Sequence, residues 1–193
     1  MGKIILVFCL ALVSLCLCKN EFFTSEVSSL YLRKNDTKAV GRLLPTNPFK
    51  VLKTDGDKVL VKITGYINPA SPSVLYYNDS QRIIVAAFSK NTKLDFKTYT
   101  KSKNGKWDKA TIEVWTDKKD FAKSNKEMFI KAKELYMNNC GICHSVHKES
   151  EFSANGWPAT FRSMVNRTGI DKKDHWLVIQ YLQKSAKDFK EVK

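Results

Sequence analysis

Beyond residue 18 the sequence holds only two of its five cysteines, Cys140 and Cys143. One such pair gives no disulfide framework, so the pair has another task. Histidine is scarcer still, with His144, His147 and His175 the whole complement. Acidic residues number 19 against 33 basic ones, for a formal net charge of +14 spread over both halves of the chain. No Gly-rich phosphate loop, Ser/His/Asp set or carboxylate pair stands out, so nothing points to nucleotide chemistry or hydrolysis. The long apolar run of a membrane span is missing too. The run Ile4–Leu17, behind Lys3, is about 14 residues and too short to cross a bilayer comfortably.

That run reads as a secretory signal covering 1–18, cleaved after Cys18, with Cys16 and Cys18 at the −3 and −1 positions. An uncleaved anchor fits less well. A lipoprotein also fits less well, because Leu15 and Leu17 precede the cysteines where a small residue is wanted. Cys9 leaves with the leader as well. About 175 residues remain, enough for one large or two small domains. An exported chain has no use for nucleic acid. Its basic surface suits an acidic redox partner or an anionic membrane face, or is simply solvated.

What is present is Cys140-Gly-Ile-Cys143-His144. Two thiols two residues apart, followed at once by an imidazole, form the attachment pattern for haem c. Each thiol can add to a vinyl group as a thioether, and His144 is then placed to bind the iron. A redox dithiol or half of a zinc site needs no histidine right after the second cysteine, and zinc would need two more ligands.

Upstream, residues 19–38 form a polar extension in which Phe22-Phe23 and Leu30-Tyr31-Leu32 are pieces able to dock on the next domain. Strands are expected at Arg42–Leu44, Phe49–Leu52, Lys58–Ile63, Val74–Tyr77 and Arg82–Phe88, with turns at Pro45–Pro48 and Thr54–Asp57. Short strands at this spacing suggest a small SH3-like barrel over 39–116. Residues 89–104 read as a loop or linker, and Thr111–Trp115 as one more strand. From 117 onward the periodicity is helical. Met128, Phe129, Ala132, Leu135 and Tyr136 share a face on a helix that runs into Cys140. Tyr136 fits a porphyrin edge or ordinary core equally. Pro158 opens a second helix that reaches Thr168, with Gly169 as its C′ residue. Asp171 caps a third helix, with Asp174 as a capping-box variant. The expected fold is α+β, an N-terminal small SH3-like β-barrel followed by a C-terminal all-α monohaem cytochrome c domain over 117–193.

The iron needs a partner opposite His144 or an open site. Met164, 20 residues on and flanked by Trp157 and Phe161, is the candidate distal ligand, or plain core packing. His147 sits in a loop too short to reach the far face. His175 is a surface residue or a bis-His ligand.

The pieces Leu135-Tyr136, Cys140–His144, Phe152-Ser-Ala-Asn155-Gly-Trp157, Ser163-Met164, Arg167-Thr168 and Gln180–Lys184 resemble one domain of a known family. It is the C-terminal monohaem domain of the pentahaem c-type cytochromes that serve trimethylamine-N-oxide reductases. Gly41–Pro45 through Tyr66 and Val74 to Ile84 are similar to the segment that precedes that haem. The resemblance covers about 38 to 188. No second Cys-x-x-Cys-His occurs, so the family's tetrahaem, membrane-anchored part has no counterpart here. The resemblance implies a periplasmic electron carrier with one covalently attached haem c, His144 and Met164 as axial ligands, and no small-molecule substrate of its own. It implies a periplasmic molybdopterin N- or S-oxide reductase as acceptor and a membrane quinol-oxidising cytochrome upstream. The competing reading is a haem protein with an open distal site, a peroxidase-like enzyme or a gas or redox sensor.

Overall fold

A computed structural model of the chain describes residues 20–102 and 106–192. The leader, with Cys9, Cys16 and Cys18, lies outside the described residues. Eight strands come first: β1 (Ser28–Tyr31), β2 (Gly41–Leu43), β3 (Lys50–Asp55), β4 (Lys58–Ile67), β5 (Val74–Tyr76), β6 (Ile84–Phe88), β7 (Phe96–Thr100) and β8 (Asp108–Asp117). Three α-helices come after them, α1 (Lys126–Cys140), α2 (Trp157–Val165) and α3 (His175–Lys184).

The strands β4 and β8 dominate. Along β4, buried Val59, Val61, Ile63, Gly65 and Ile67 alternate with more exposed neighbours, the period of a strand with one face inside. The two strands pair antiparallel over their full length, Lys58 opposite Asp117 through Ile67 opposite Asp108. Val61 therefore faces Val114, and Ile63 faces Ile112. The sheet order is β3-β4-β5-β6-β2-β1-β8-β7, and the β4–β8 pairing joins its second strand to its second-to-last. Six strands close into a barrel, which removes their free edges. Strands β3 and β7 hang outside, paired to β4 and β8 alone. Closure demands a close crossing at Gly65, where a Cβ would stand 2.8 Å from the Tyr76 carbonyl oxygen.

This corrects the expected fold class. The barrel is not a small SH3-like unit followed by an all-α monohaem cytochrome c domain. It has six closed strands and two flanking ones, and only three helices of 15, 9 and 10 residues come after it. The physical reason lies in α3. Every residue from Leu177 to Gln183 is buried, more than two neighbouring helices can cover, so the barrel covers the rest. Gln180 donates to the Ile84 carbonyl (2.8 Å) and accepts from Asn47, while Lys184 reaches Thr46 and Asn47. The helical core includes Ile83, and Tyr77 packs against both cores.

Smaller differences have local causes. Leu30 and Tyr31 are not docked pieces but part of β1, between β2 and β8. Residues 96–100, expected within a loop, form β7. Helix α2 runs Trp157–Val165 and ends at Asn166, so Gly169 is not its C′ residue. Asp174 makes no cap, because its carboxylate pairs with Lys131 of α1 at 2.8 Å.

Candidate haem site

Helix α1 delivers the Cys-x-x-Cys-His turn. Its buried face, Met128, Ala132 and Tyr136, packs on α3, and the helix ends at Cys140. Gly141 comes next in a tight place, where a Cβ would meet the Met137 carbonyl oxygen at 2.9 Å and Val146 at 3.0 Å. Cys140 is half-buried and Cys143 exposed, and both are free thiols. Burial pushes the Cys140 thiol above its ordinary pKa. His144 is exposed, and its Nδ1 lies 2.8 Å from the Ser145 carbonyl oxygen. A carbonyl only accepts, so Nδ1 is the donor, and the neutral ring in this orientation has Nε2 open to bind a metal.

These residues line one cavity of ≈ 470 Å³, within the size range of small-molecule and cofactor sites. Helix α2 forms the other wall. Trp157 and Phe161 are buried there, whereas Met164 is 40 % exposed and faces the cavity. Met164 is therefore not plain core packing, and the structure brings it to the same space as His144. Ile142, 76 % exposed, also borders the cavity.

The loop behind the turn is fixed by main-chain acceptors. Tyr136 donates from its hydroxyl to the His147 carbonyl (2.9 Å), and Trp157 donates from Nε1 to the Glu149 carbonyl (2.8 Å). Tyr136 stands edge-on to Trp157 with ring centroids 5.9 Å apart. Burial first, then the Cys140, Glu149 and Glu151 charges, raises the Tyr136 hydroxyl, which stays neutral. Burial would raise Glu149, but the Tyr181 hydroxyl that donates to it, its own main chain and Lys133 outweigh that and hold it low.

The other histidines sit differently. His147 borders the cavity beside His144, ring centroids 5.8 Å apart, with its Nδ1 2.8 Å from Glu151. His175 is not in the cavity lining. Its Nε2 donates to the Ile170 carbonyl at 3.1 Å, and its ring packs edge-on against Phe161. Sequence reasoning gave no role to Asn139, Thr160 or Val146, which also line the cavity. Only their placement after folding reveals them. Gly169 is held close to Asn139, whose Oδ1 would stand 3.2 Å from an added Cβ.

The donor set fits haem c. Two thiols, one imidazole nitrogen and one thioether meet at an aromatic-walled cavity, where Ile142 and Met164 present apolar surface suited to a flat macrocycle. Among the described residues no three His, Cys, Asp or Glu side chains converge as a cage for a bare metal ion.

The family described as the TorC third cytochrome c domain matches residues 18–121, more than half of the chain. The chain belongs to the TorC cytochrome c family. Cytochrome c-type protein TorC of Escherichia coli O157:H7 is 33% identical over 174 residues, 88% of this chain and 45% of that protein, and TorC of Escherichia coli strain K12 gives the same figures. Cytochrome c-type protein TorY of Haemophilus influenzae is 23% identical over 158 residues, 80% of this chain and 43% of its own length. The chain thus spans less than half the length of these relatives. No solved structure matches it. The resemblance read from the Phe152–Trp157 and Gln180–Lys184 pieces is to this same family. Membership in a cytochrome c family implies covalently bound haem c. The stretch matched to the TorC domain holds the barrel, and Cys140, Cys143 and His144 lie after it.

Proposed function

We propose that this TorC-type chain is a periplasmic monohaem c-type cytochrome that passes electrons to a molybdopterin reductase of trimethylamine-N-oxide or dimethyl sulfoxide type. The observation that carries the reading is the meeting of Cys140, Cys143, His144 and Met164 at one aromatic-walled cavity. Haem bound there supplies one-electron redox chemistry. Cys140 and Cys143 would hold it through thioethers. His144 offers Nε2 while Nδ1 holds the ring to the Ser145 carbonyl. Met164 offers its thioether from the opposite helix. Tyr136, Trp157 and Phe161 exclude water from that face, which favours the less charged state and a stable ligand set. If His144 and Met164 both held the iron, no place would remain for a substrate, and the chain would carry electrons and leave oxide reduction to the partner. A membrane quinol-oxidising cytochrome is the donor.

The experiment combines a spectrum with a transfer assay. The purified holoprotein should be low-spin, with a weak near-infrared sulfur-to-iron band and one haem per chain. The reduced protein should be reoxidised by a trimethylamine-N-oxide reductase only when substrate is present. High-spin iron that binds carbon monoxide readily would instead establish the open-site enzyme or sensor. Reoxidation that ignores the reductase would refute the partner assignment.

A further inference from the structure

Trp176 opens α3 and is half-buried against the helical core. Two guanidinium groups lie over its indole ring. The Arg42 Cζ of β2 is 5.5 Å from the ring centroid, and the Arg162 Cζ of α2 is 5.2 Å. Strand β2 and the helices α2 and α3 thus bring two like charges to one indole ring. Each contact with the ring is favourable, yet the cations repel each other.

Nothing within the described residues neutralises them. The ion pairs among the described residues are made by Lys34, Lys53, Lys58, Lys97, Lys106, Lys119, Lys131, Lys173 and His147. Neither Arg42 nor Arg162 joins them, although both are exposed. The acids nearest to Trp176 in sequence are already engaged, Asp174 with Lys131 and Asp171 with Lys173. Trp176 itself makes no hydrogen bond from Nε1 among the described residues, in contrast to Trp157, whose Nε1 donates to the Glu149 carbonyl. The patch thus offers two planar forks and one indole N–H, none of them paired with an acceptor side chain among the described residues.

We infer that Arg42, Trp176 and Arg162 form a docking patch for a carboxylate-rich segment of a partner protein. A guanidinium fork matches a carboxylate bidentately, and stacking on indole holds the fork in one orientation before the partner arrives. A protein partner is favoured over a membrane because the indole is half-buried and flanked by arginines. Such a ring does not protrude to insert among lipids, where an exposed aromatic set among lysines would serve. The patch straddles the barrel–helix junction, so it exists only in the folded chain. It deepens the electron-carrier reading by giving the partner a place to bind, on elements that include the Met164 helix.

The test needs neither a reductase nor electron transfer, so it can fail while the haem reading stands, and the reverse. Isotope-labelled holoprotein is titrated with hexaglutamate while the Trp176 indole N–H resonance is followed. The expected result is a saturable shift that weakens as salt rises. Joint Arg42→Gln and Arg162→Gln replacement should weaken binding by about tenfold or more. Joint Arg42→Lys and Arg162→Lys replacement, which keeps the charge, should still lose about threefold. Both sites are exposed, so an unchanged haem spectrum and melting curve will certify the fold. A peptide response untouched by either double replacement overturns the proposal. So does an equal Trp176 response to inorganic phosphate or to phosphatidylglycerol vesicles, which would make the patch a phosphate or membrane site.

Discussion

The Tyr136 hydroxyl donates to the main-chain carbonyl of His147 across 2.9 Å, and so ties the last turns of α1 to the loop beyond the Cys-x-x-Cys-His turn. The hydroxyl belongs to a buried side chain, and its partner carbonyl sits three residues past His144. This one bond fixes the far end of the segment whose near end is fixed by Cys140 at the end of α1.

Replacing Tyr136 with Phe keeps the ring against Trp157 but leaves that carbonyl without its donor. A stability loss of about 1–2 kcal/mol is expected, read by denaturant unfolding of the holoprotein. Haem attachment should persist, since no thiol or axial group changes. Unaltered stability would mean that water replaces the hydroxyl without cost.

Met164→Ala removes the one thioether that faces His144 across the cavity. The expected outcome is loss of the near-infrared sulfur band, ready binding of carbon monoxide, and a reduction potential lower by on the order of 0.1 V within the roughly 0.8 V that axial ligands span. A spectrum identical to that of the wild type would sink the distal assignment.

Lys184 joins α3 to the barrel through Thr46 and Asn47. Its Nζ lies 3.0 Å from the Thr46 carbonyl and hydroxyl oxygens and 2.9 Å from Asn47 Oδ1. Burial pushes its ammonium down to about 7 from an ordinary 10.5. The folded state therefore binds fewer protons than the unfolded one between these values, and this group makes stability rise with pH across that window. Chemical denaturation at about pH 7.5 and about pH 9.5 should show the rise in the wild type and a flatter response in Lys184→Met. Equal slopes in the two proteins would place the lysine's charge at its ordinary value.

Gly65→Ala tests barrel closure. The new Cβ would stand 2.8 Å from the Tyr76 carbonyl oxygen and 3.1 Å from the Leu75 Cβ. The oxygen belongs to the main chain of a paired strand and cannot step aside, so a cost of about 1–3 kcal/mol is expected in a thermal melt. A neutral substitution would show that β4 and β5 can separate locally.

Much of the site was legible because its chemistry is local. Cysteine spacing and the adjacent histidine name the cofactor without reference to the rest of the chain, and the periodicity of Met128, Ala132 and Tyr136 sets the helix that carries them. The middles of β4 and β8 were legible as the strands expected at Lys58–Ile63 and Thr111–Trp115. What was missed had weak local signals. Strand β1 is four residues long, and β7 carries the Lys- and Thr-rich pattern of a loop. Both become strands because β8 offers them an edge. The expected all-α domain failed on Gln180, Gln183 and Lys184, whose polarity does not by itself say which acceptors they meet. Those groups instead satisfy barrel and loop acceptors, Gln183 by donating to the Ala154 carbonyl at 2.8 Å.

The sequence by itself determined the Cys140-Gly-Ile-Cys143-His144 pattern, the helix leading to it, and strand segments within β4 and β8. Those features depend on neighbours within a few residues. Tertiary structure alone decided that β4 meets β8 to close six strands, that α3 is covered by the barrel, that Met164 shares a cavity with His144, and that Arg42 and Arg162 share the ring of Trp176. Periodicity records that one face is buried but not what buries it. The covering partner is chosen by long-range pairing, whose loop-closure cost is met only when the whole barrel and its helices form together.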